Sequence, residues 1–125
     1  MEKSKVVRWR SFSVNCKVII LQPFERASKR LLKRYKSLRH DLIRLIAELE
    51  ANPMLGADLG NGFRKVRLAI KSKSSGKRGG ARVITLTILF STDEAEVGLL
   101  YIYDKSDRAS ISIKELNALK RESGL

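Results

Sequence analysis

Between Asp58 and Asp93 the chain has no carboxylate, yet the stretch GFRKVRLAIKSKSSGKRGGARVITLTI, Gly62 to Ile88, carries eight Lys and Arg residues. Repulsion among unpaired like charges costs stability, so an anionic partner is the natural reason for keeping them together. Cations with no counter-charge are the electrostatic footprint of nucleic-acid recognition. The chemistry open to such a cluster is phosphate binding, and stabilisation of the charge that builds on phosphoryl oxygens when a phosphodiester is attacked. Lys71, Lys73 and Arg78 read as groups that grip a nucleic-acid backbone. Tyr101 and Tyr103 read either as platforms for bases or as half-buried strand tyrosines. With one Cys and one His in the chain, no metal site, cofactor or internal disulfide is expected. Cys16 reads as inert and His40 as a structural or surface residue.

These residues need elements to hold them, and the hydrophobic period supplies the elements. Residues 1–16 show no clear period and read as a loosely ordered extension on which Trp9 and Phe12 are the apolar positions. KVIIL, with Val18 to Leu21, reads as a short buried strand stopped by Pro23. From Phe24 the apolar residues Ala27, Leu31, Tyr35, Leu38, Leu42, Leu45 and Leu49 follow at steps of three and four, an amphipathic helical pattern. A break near Lys36–Ser37, with Ser37 as N-cap, predicts two helices packed as a hairpin. The opposite helical face, including Lys29, Arg30, Lys33 and Arg34, reads as solvated and basic. ANP at Ala51 to Pro53 ends the helical region, and a loop with Gly56, Gly60, Asn61 and Gly62 follows.

The period then falls to two. Val66, Leu68 and Ile70 share one face and Lys65 and Arg67 the other. KSKSSGKRGG reads as a basic turn. The strand from Arg82 to Phe90 is read with Ile84, Leu86, Ile88 and Phe90 on the core face and Thr85 and Thr87 opposite. A further strand, VGLLYIYDK, alternates Leu100 and Ile102 with Tyr101 and Tyr103. A last helix over Ile113 to Glu122 has Ser112 as N-cap and Glu115 three residues on, a capping box. The predicted fold is α+β: β-α-α-β-β-β-α, a small antiparallel sheet with the two N-terminal helices on one face. The other face is predicted to present Lys65, Arg67, Thr85, Thr87, Tyr101 and Tyr103.

Composition bounds the function classes. At 125 residues, 43% of them hydrophobic, the chain reads as one domain, residues 17–125, with enough apolar material for a core. A formal net charge of +13 and a pI near 10.3 point to nucleic acid or an acidic protein as partner. No apolar run approaches the roughly 20 residues that span a bilayer. Arg8, Arg10 and Lys17 interrupt the N-terminal apolar residues, so no signal peptide is read there. A single cysteine fits a reducing, cytoplasmic setting.

LQPFERASKRLLKRY, GFRKVRLAI, SSGKRGGARVI and LLYIYDKSDRASIS, in this order, resemble the RelE/ParE superfamily of bacterial toxins, and within it the HigB-like branch of RelE. The resemblance covers about Val18 to Lys120. It implies the toxin of a type II toxin–antitoxin pair that enters the ribosomal A site and cuts mRNA there. The implied reaction is attack of a ribose 2′-hydroxyl on the adjacent phosphate, without a metal. The partners implied are the ribosome, mRNA and a cognate antitoxin with an acidic or amphipathic inhibitory segment, in the bacterial cytoplasm. Family catalytic positions correspond here to Lys65, Arg67, Arg82 and Lys105, with Arg64 and Lys77 as neighbouring RNA-binding candidates. A guanidinium grips two phosphate oxygens at once, which suits Arg67 and Arg82. Crowding by cations favours a neutral amine, which makes Lys65 the preferred proton acceptor. The chain departs from the family in two places. It has no tyrosine beyond Tyr103, and it has Thr85 where relatives of this branch carry tyrosine. A ParE-like gyrase inhibitor and a catalytically degenerate RNA- or ribosome-binding homologue are the competing readings.

Overall fold

A computed structural model describes residues 15–73 and 79–125. Strand β1, Asn15–Ile20, is followed by helices α1, Gln22–Arg34, and α2, Leu38–Ala51. Strands β2, Ala57–Gly60, β3, Phe63–Leu68, β4, Ala81–Phe90, and β5, Glu94–Asp104, come next, and helix α3, Ile113–Glu122, closes the chain. The five strands form one mixed sheet in the order β1-β5-β4-β3-β2. β1 runs parallel to β5 and the other pairs are antiparallel.

The helical period does what its spacing predicts. α1 begins with Pro23 in its first turn, where a missing N–H costs nothing, and buries Phe24, Ser28 and Leu31. It ends at Tyr35, whose backbone is extended. α2 buries Leu38, Asp41, Leu45 and Leu49 and stops at Asn52, the residue before Pro53, which disfavours helical backbone. The two-helix reading is therefore borne out. Ser37 does stand at the N-cap position, but its side chain makes no capping bond. Its hydroxyl instead donates to Asp41 Oδ2 at 2.7 Å. The Ser112–Glu115 capping box is present in full.

α1 and α2 press Phe24, Leu31, Leu38, Leu45 and Leu49 onto Val66, Leu68, Val83, Leu99 and Ile102 on one face of the sheet. The opposite face holds a second, smaller core: Phe63, Ile84, Leu86, Leu100 and Tyr103, closed by Leu116 of α3. That second core corrects the face assignment for β4. Ile84 and Leu86 lie on the same side as Lys65 and Arg67. Thr85 is fully buried, paired with Leu99 of the helix-side core, and its hydroxyl has no hydrogen-bond partner among the described residues. β4 is covered on both faces, so its apolar pattern no longer marks one inward side.

Three further differences have local causes. A register shift opposite Ile84 and Thr85 leaves Leu100 as an extra residue in β5, so Leu100 joins Tyr101 and Tyr103 in the second core; a bulge of this kind breaks strict alternation. β2 occupies part of the predicted Gly- and Asn-containing loop. β1 begins at Asn15, two residues inside the predicted extension, and is a half-exposed edge strand with Ile20 55% exposed. Residues 1–14, with Trp9 and Phe12, lie outside the described residues.

Candidate nucleic-acid interface

Register brings three predicted site residues into one line. Arg67 of β3 is directly opposite Arg82 of β4, and Arg82 is directly opposite Tyr103 of β5. Directly paired residues point to the same face, so this row runs across the sheet on the side away from α1 and α2. The next row toward α3 is Lys65, Ile84 and Tyr101. Lys105 follows β5 immediately, and its backbone N–H donates to Gly80 O at 3.0 Å, fixing it beside the start of β4. Arg67 and Lys105 are exposed and Lys65 is half-buried.

Arg82 is the buried cation of the row, 6% exposed, with Nη1 donating to Ala81 O at 3.2 Å. Tyr103 is 4% exposed and its hydroxyl has no hydrogen-bond partner among the described residues. Burial pushes the phenol above its ordinary value, and the positive charges of Arg82 and Arg108 oppose that shift. The guanidinium carbon of Arg108 lies 5.6 Å from the centre of the Tyr103 ring, within cation–π range. Both Arg108 Nη2 bonds to the Glu115 carboxylate measure 3.0 Å, and Nε donates to Ser110 O at 2.9 Å. Arg108 was not singled out in the sequence, although it lies inside the quoted segment LLYIYDKSDRASIS. The Tyr101 and Tyr103 rings are 6.3 Å apart and tilted by 38°. With its ring built into the second core, Tyr103 is a wall of the site more than an open platform, whereas Tyr101 is half-buried.

The remaining RNA-binding candidates separate into two groups. Lys71 is exposed, and its backbone N–H donates to buried Asp41 at 3.2 Å. Arg64 and Lys73 are committed within the protein. Nη1 of Arg64 donates to Met54 O and to Gly56 O, both at 3.0 Å, so it clamps the loop between α2 and β2. Nζ of Lys73 donates to Asp104 Oδ1 at 2.5 Å and its side chain is 18% exposed. Lys77 and Arg78 lie outside the described residues.

Asp104 is the hub behind this end of the sheet. Its fully buried carboxylate accepts from Lys73, from Arg34 Nη1 at 3.0 Å, from the Tyr35 hydroxyl, and from the Ser106 N–H and hydroxyl at 2.9 and 2.7 Å. Asp41 plays the same part at the start of the basic loop. It takes bonds from Ser37, Arg44 and Lys71 N–H, and Ser37 bonds in turn to Ser72. The start of the loop that follows β3 is thereby fixed to the helices and to the end of β5.

At the β3 edge, Gly56 has φ 98°, and a Cβ there would lie 2.6 Å from the Lys65 carbonyl oxygen. Gly56→Ala is expected to cost about 1–3 kcal/mol, read as a lowered denaturation midpoint. Gly60→Ala shares a positive φ of 89° but meets nothing within 4 Å, so its cost should be smaller. Equal losses in the two variants would show that the clash with β3 is unimportant.

The α+β arrangement of a mixed five-stranded sheet and three helices is that of a RelE-like fold. The chain belongs to the RelE toxin family: the family model described as the RelE toxin of the RelE/RelB toxin–antitoxin system matches residues 20–124. It is thus a toxin of a toxin–antitoxin pair with an antitoxin as its partner, in a family whose toxins are generally ribonucleases. Among the described residues no helix is long and apolar enough to cross a membrane.

Proposed function

We propose that the protein is a ribosome-dependent mRNA endonuclease of the HigB-like branch, acting in the bacterial cytoplasm. The observation that supports this most is the alignment of Arg67, Arg82 and Tyr103 across the sheet, with Lys65 and Lys105 at its margins. In the reaction the ribose 2′-oxygen bonds to phosphorus while the bond from phosphorus to the 5′-oxygen breaks. The products are a 2′,3′-cyclic phosphate and a 5′-hydroxyl. Arg67 and Arg82 hold the phosphoryl oxygens as their charge grows, a service that preorganised guanidinium groups perform well. Lys65 accepts the 2′-hydroxyl proton and the 5′-oxygen takes its proton from solvent water. Lys71 and Lys105 hold flanking phosphates, and Tyr101 offers a face to a base. The antitoxin's acidic or amphipathic segment lies over the same cations and blocks them.

The test is to add purified protein to programmed ribosomes, with the same message free in a parallel sample, and to map new 5′ ends. Cuts confined to ribosome-bound message are expected. Lys65→Ala should reduce their rate by about 10²-fold with the fold intact. An unchanged rate in that variant would remove Lys65 from the mechanism. Complete absence of cuts by the wild type would favour a degenerate toxin, and DNA damage in expressing cells without translation arrest would favour gyrase inhibition.

A further inference from the structure

β2 covers the outer edge of β3 only at Phe63, Arg64 and Lys65. Among the described residues no strand lies beside that edge beyond Lys65, and a groove opens between it, the C-terminal end of α2 and the loop leading to β2. The groove has a volume of about 830 Å³ and is lined by Glu48, Asn52, Leu55, Ala57, Lys65 and Arg67 among others. Ligand sites are typically about 300–1,000 Å³, so one nucleotide fits with room to spare. Leu55 and Ala57 give the walls an apolar surface, which suits the flat face of an unstacked base. The loop wall is held in place before any ligand arrives, by the Arg64 clamp and by the close approach of Gly56 to β3.

The polar groups define which base. Glu48 is exposed and its carboxylate makes no hydrogen bond or ion pair among the described residues, in a protein whose net charge is +13. A carboxylate is an acceptor only, with two oxygens side by side. The Asn52 side-chain oxygen is occupied, accepting from Met54 N–H at 3.1 Å, which leaves the amide NH₂ as a donor. A donor beside a pair of acceptors complements the Watson–Crick edge of guanine: O6 accepts, and N1–H and N2–H donate. Adenine, cytosine and uracil lack the two adjacent donors.

We propose that this groove is a guanine subsite, in which Glu48 and Asn52 read the base while Lys65 and Arg67 hold its ribose-phosphate. The proposal rests on the ribonuclease reading and sets the sequence preference of that same site. Glu48 and Asn52 select among messages and take no part in bond breaking.

Two measurements test it. First, 5′ ends are mapped on a mixed-sequence message with wild type and Glu48→Gln. The wild type is expected to favour guanosine at one fixed position relative to the cut, and Glu48→Gln to reduce that preference by about tenfold. A wild type with no guanosine bias, or a bias unmoved in Glu48→Gln, overturns the subsite and leaves the nuclease intact. Second, guanosine, adenosine, cytidine and uridine 5′-monophosphates are titrated against the free protein while the amide resonances of Leu55, Gly56 and Ala57 are followed. Preferential shifts with guanosine monophosphate support the subsite even if no message is cut. Absence of binding, together with loss of antitoxin inhibition in Glu48→Gln, would overturn it and assign the groove to a peptide strand.

Discussion

Replacing Asp104 by Asn is expected to cost about 3–5 kcal/mol of folding stability, the range for removing one side of a buried ion pair. The carboxylate is fully buried and takes bonds from Lys73, Arg34, Tyr35 and Ser106, which come from α1, the loop after β3 and the end of β5. Without its charge, Lys73 in particular is left 18% exposed with no counter-ion at that position. The pH dependence follows from the same contacts. Burial alone would raise the Asp104 carboxyl, but hydrogen bonds from Lys73, Tyr35 and Ser106 outweigh burial and hold it well below the usual carboxylate range. A carboxyl depressed in the folded state contributes its full stabilisation above the unfolded-state value of about 4. That stabilisation is lost as pH falls from there toward the lower folded-state value. Thermal unfolding of wild type and Asp104→Asn at a series of pH values should therefore show a gap that is constant near neutrality and narrows below about pH 4. A gap independent of pH would show that the charge of Asp104 is not what stabilises this corner.

Arg82→Lys is expected to lower the rate of message cleavage by about 10²-fold or more, the usual effect of removing one preorganised donor from a developing oxyanion. Lysine retains the charge but loses the planar fork that meets two phosphate oxygens. Because Arg82 is 6% exposed, the conservative change is preferable to alanine, and the denaturation midpoint should be measured alongside. A large fall in rate with an unchanged midpoint places Arg82 at the reacting phosphate. A fall in rate matched by a fall in stability would make it a structural residue that shapes the row. Wild-type cleavage by Arg82→Lys would leave only charge, and not geometry, as its contribution.

The helical hairpin and the C-terminal capping box were legible because their signals are local. Leu31, Leu38, Leu45 and Leu49 recur at helical spacing and all are buried, and Ser112 and Glu115 satisfy each other across three residues. The faces of β4 were not legible. An apolar strand covered on both sides reads the same in either phase, and the extra residue at Leu100 shifts β5 without any local mark. β2 has too few residues and too little apolar alternation to stand out. For the site, the pairing of Arg67 with Arg82 is a matter of register, which sequence leaves open, though the residue types were readable. The roles of Lys73 and Arg64 were hidden for a different reason. Counting charges between Asp58 and Asp93 cannot see that Lys73 meets a carboxylate 31 residues away, nor that Arg64 is held by backbone carbonyls.

The parallel pairing of β1 with β5 has a consequence for the order in which the chain can fold as it is made. The first strand, Asn15–Ile20, has its partner in Glu94–Leu99, so it waits unpaired while the helical hairpin and three other strands are synthesised. Chains emerge at roughly 5–20 residues per second, and contacts between distant segments form late. The row of Arg67, Arg82 and Tyr103 is complete only when β5 has left the exit tunnel. A nascent chain therefore lacks the completed row until synthesis is nearly finished.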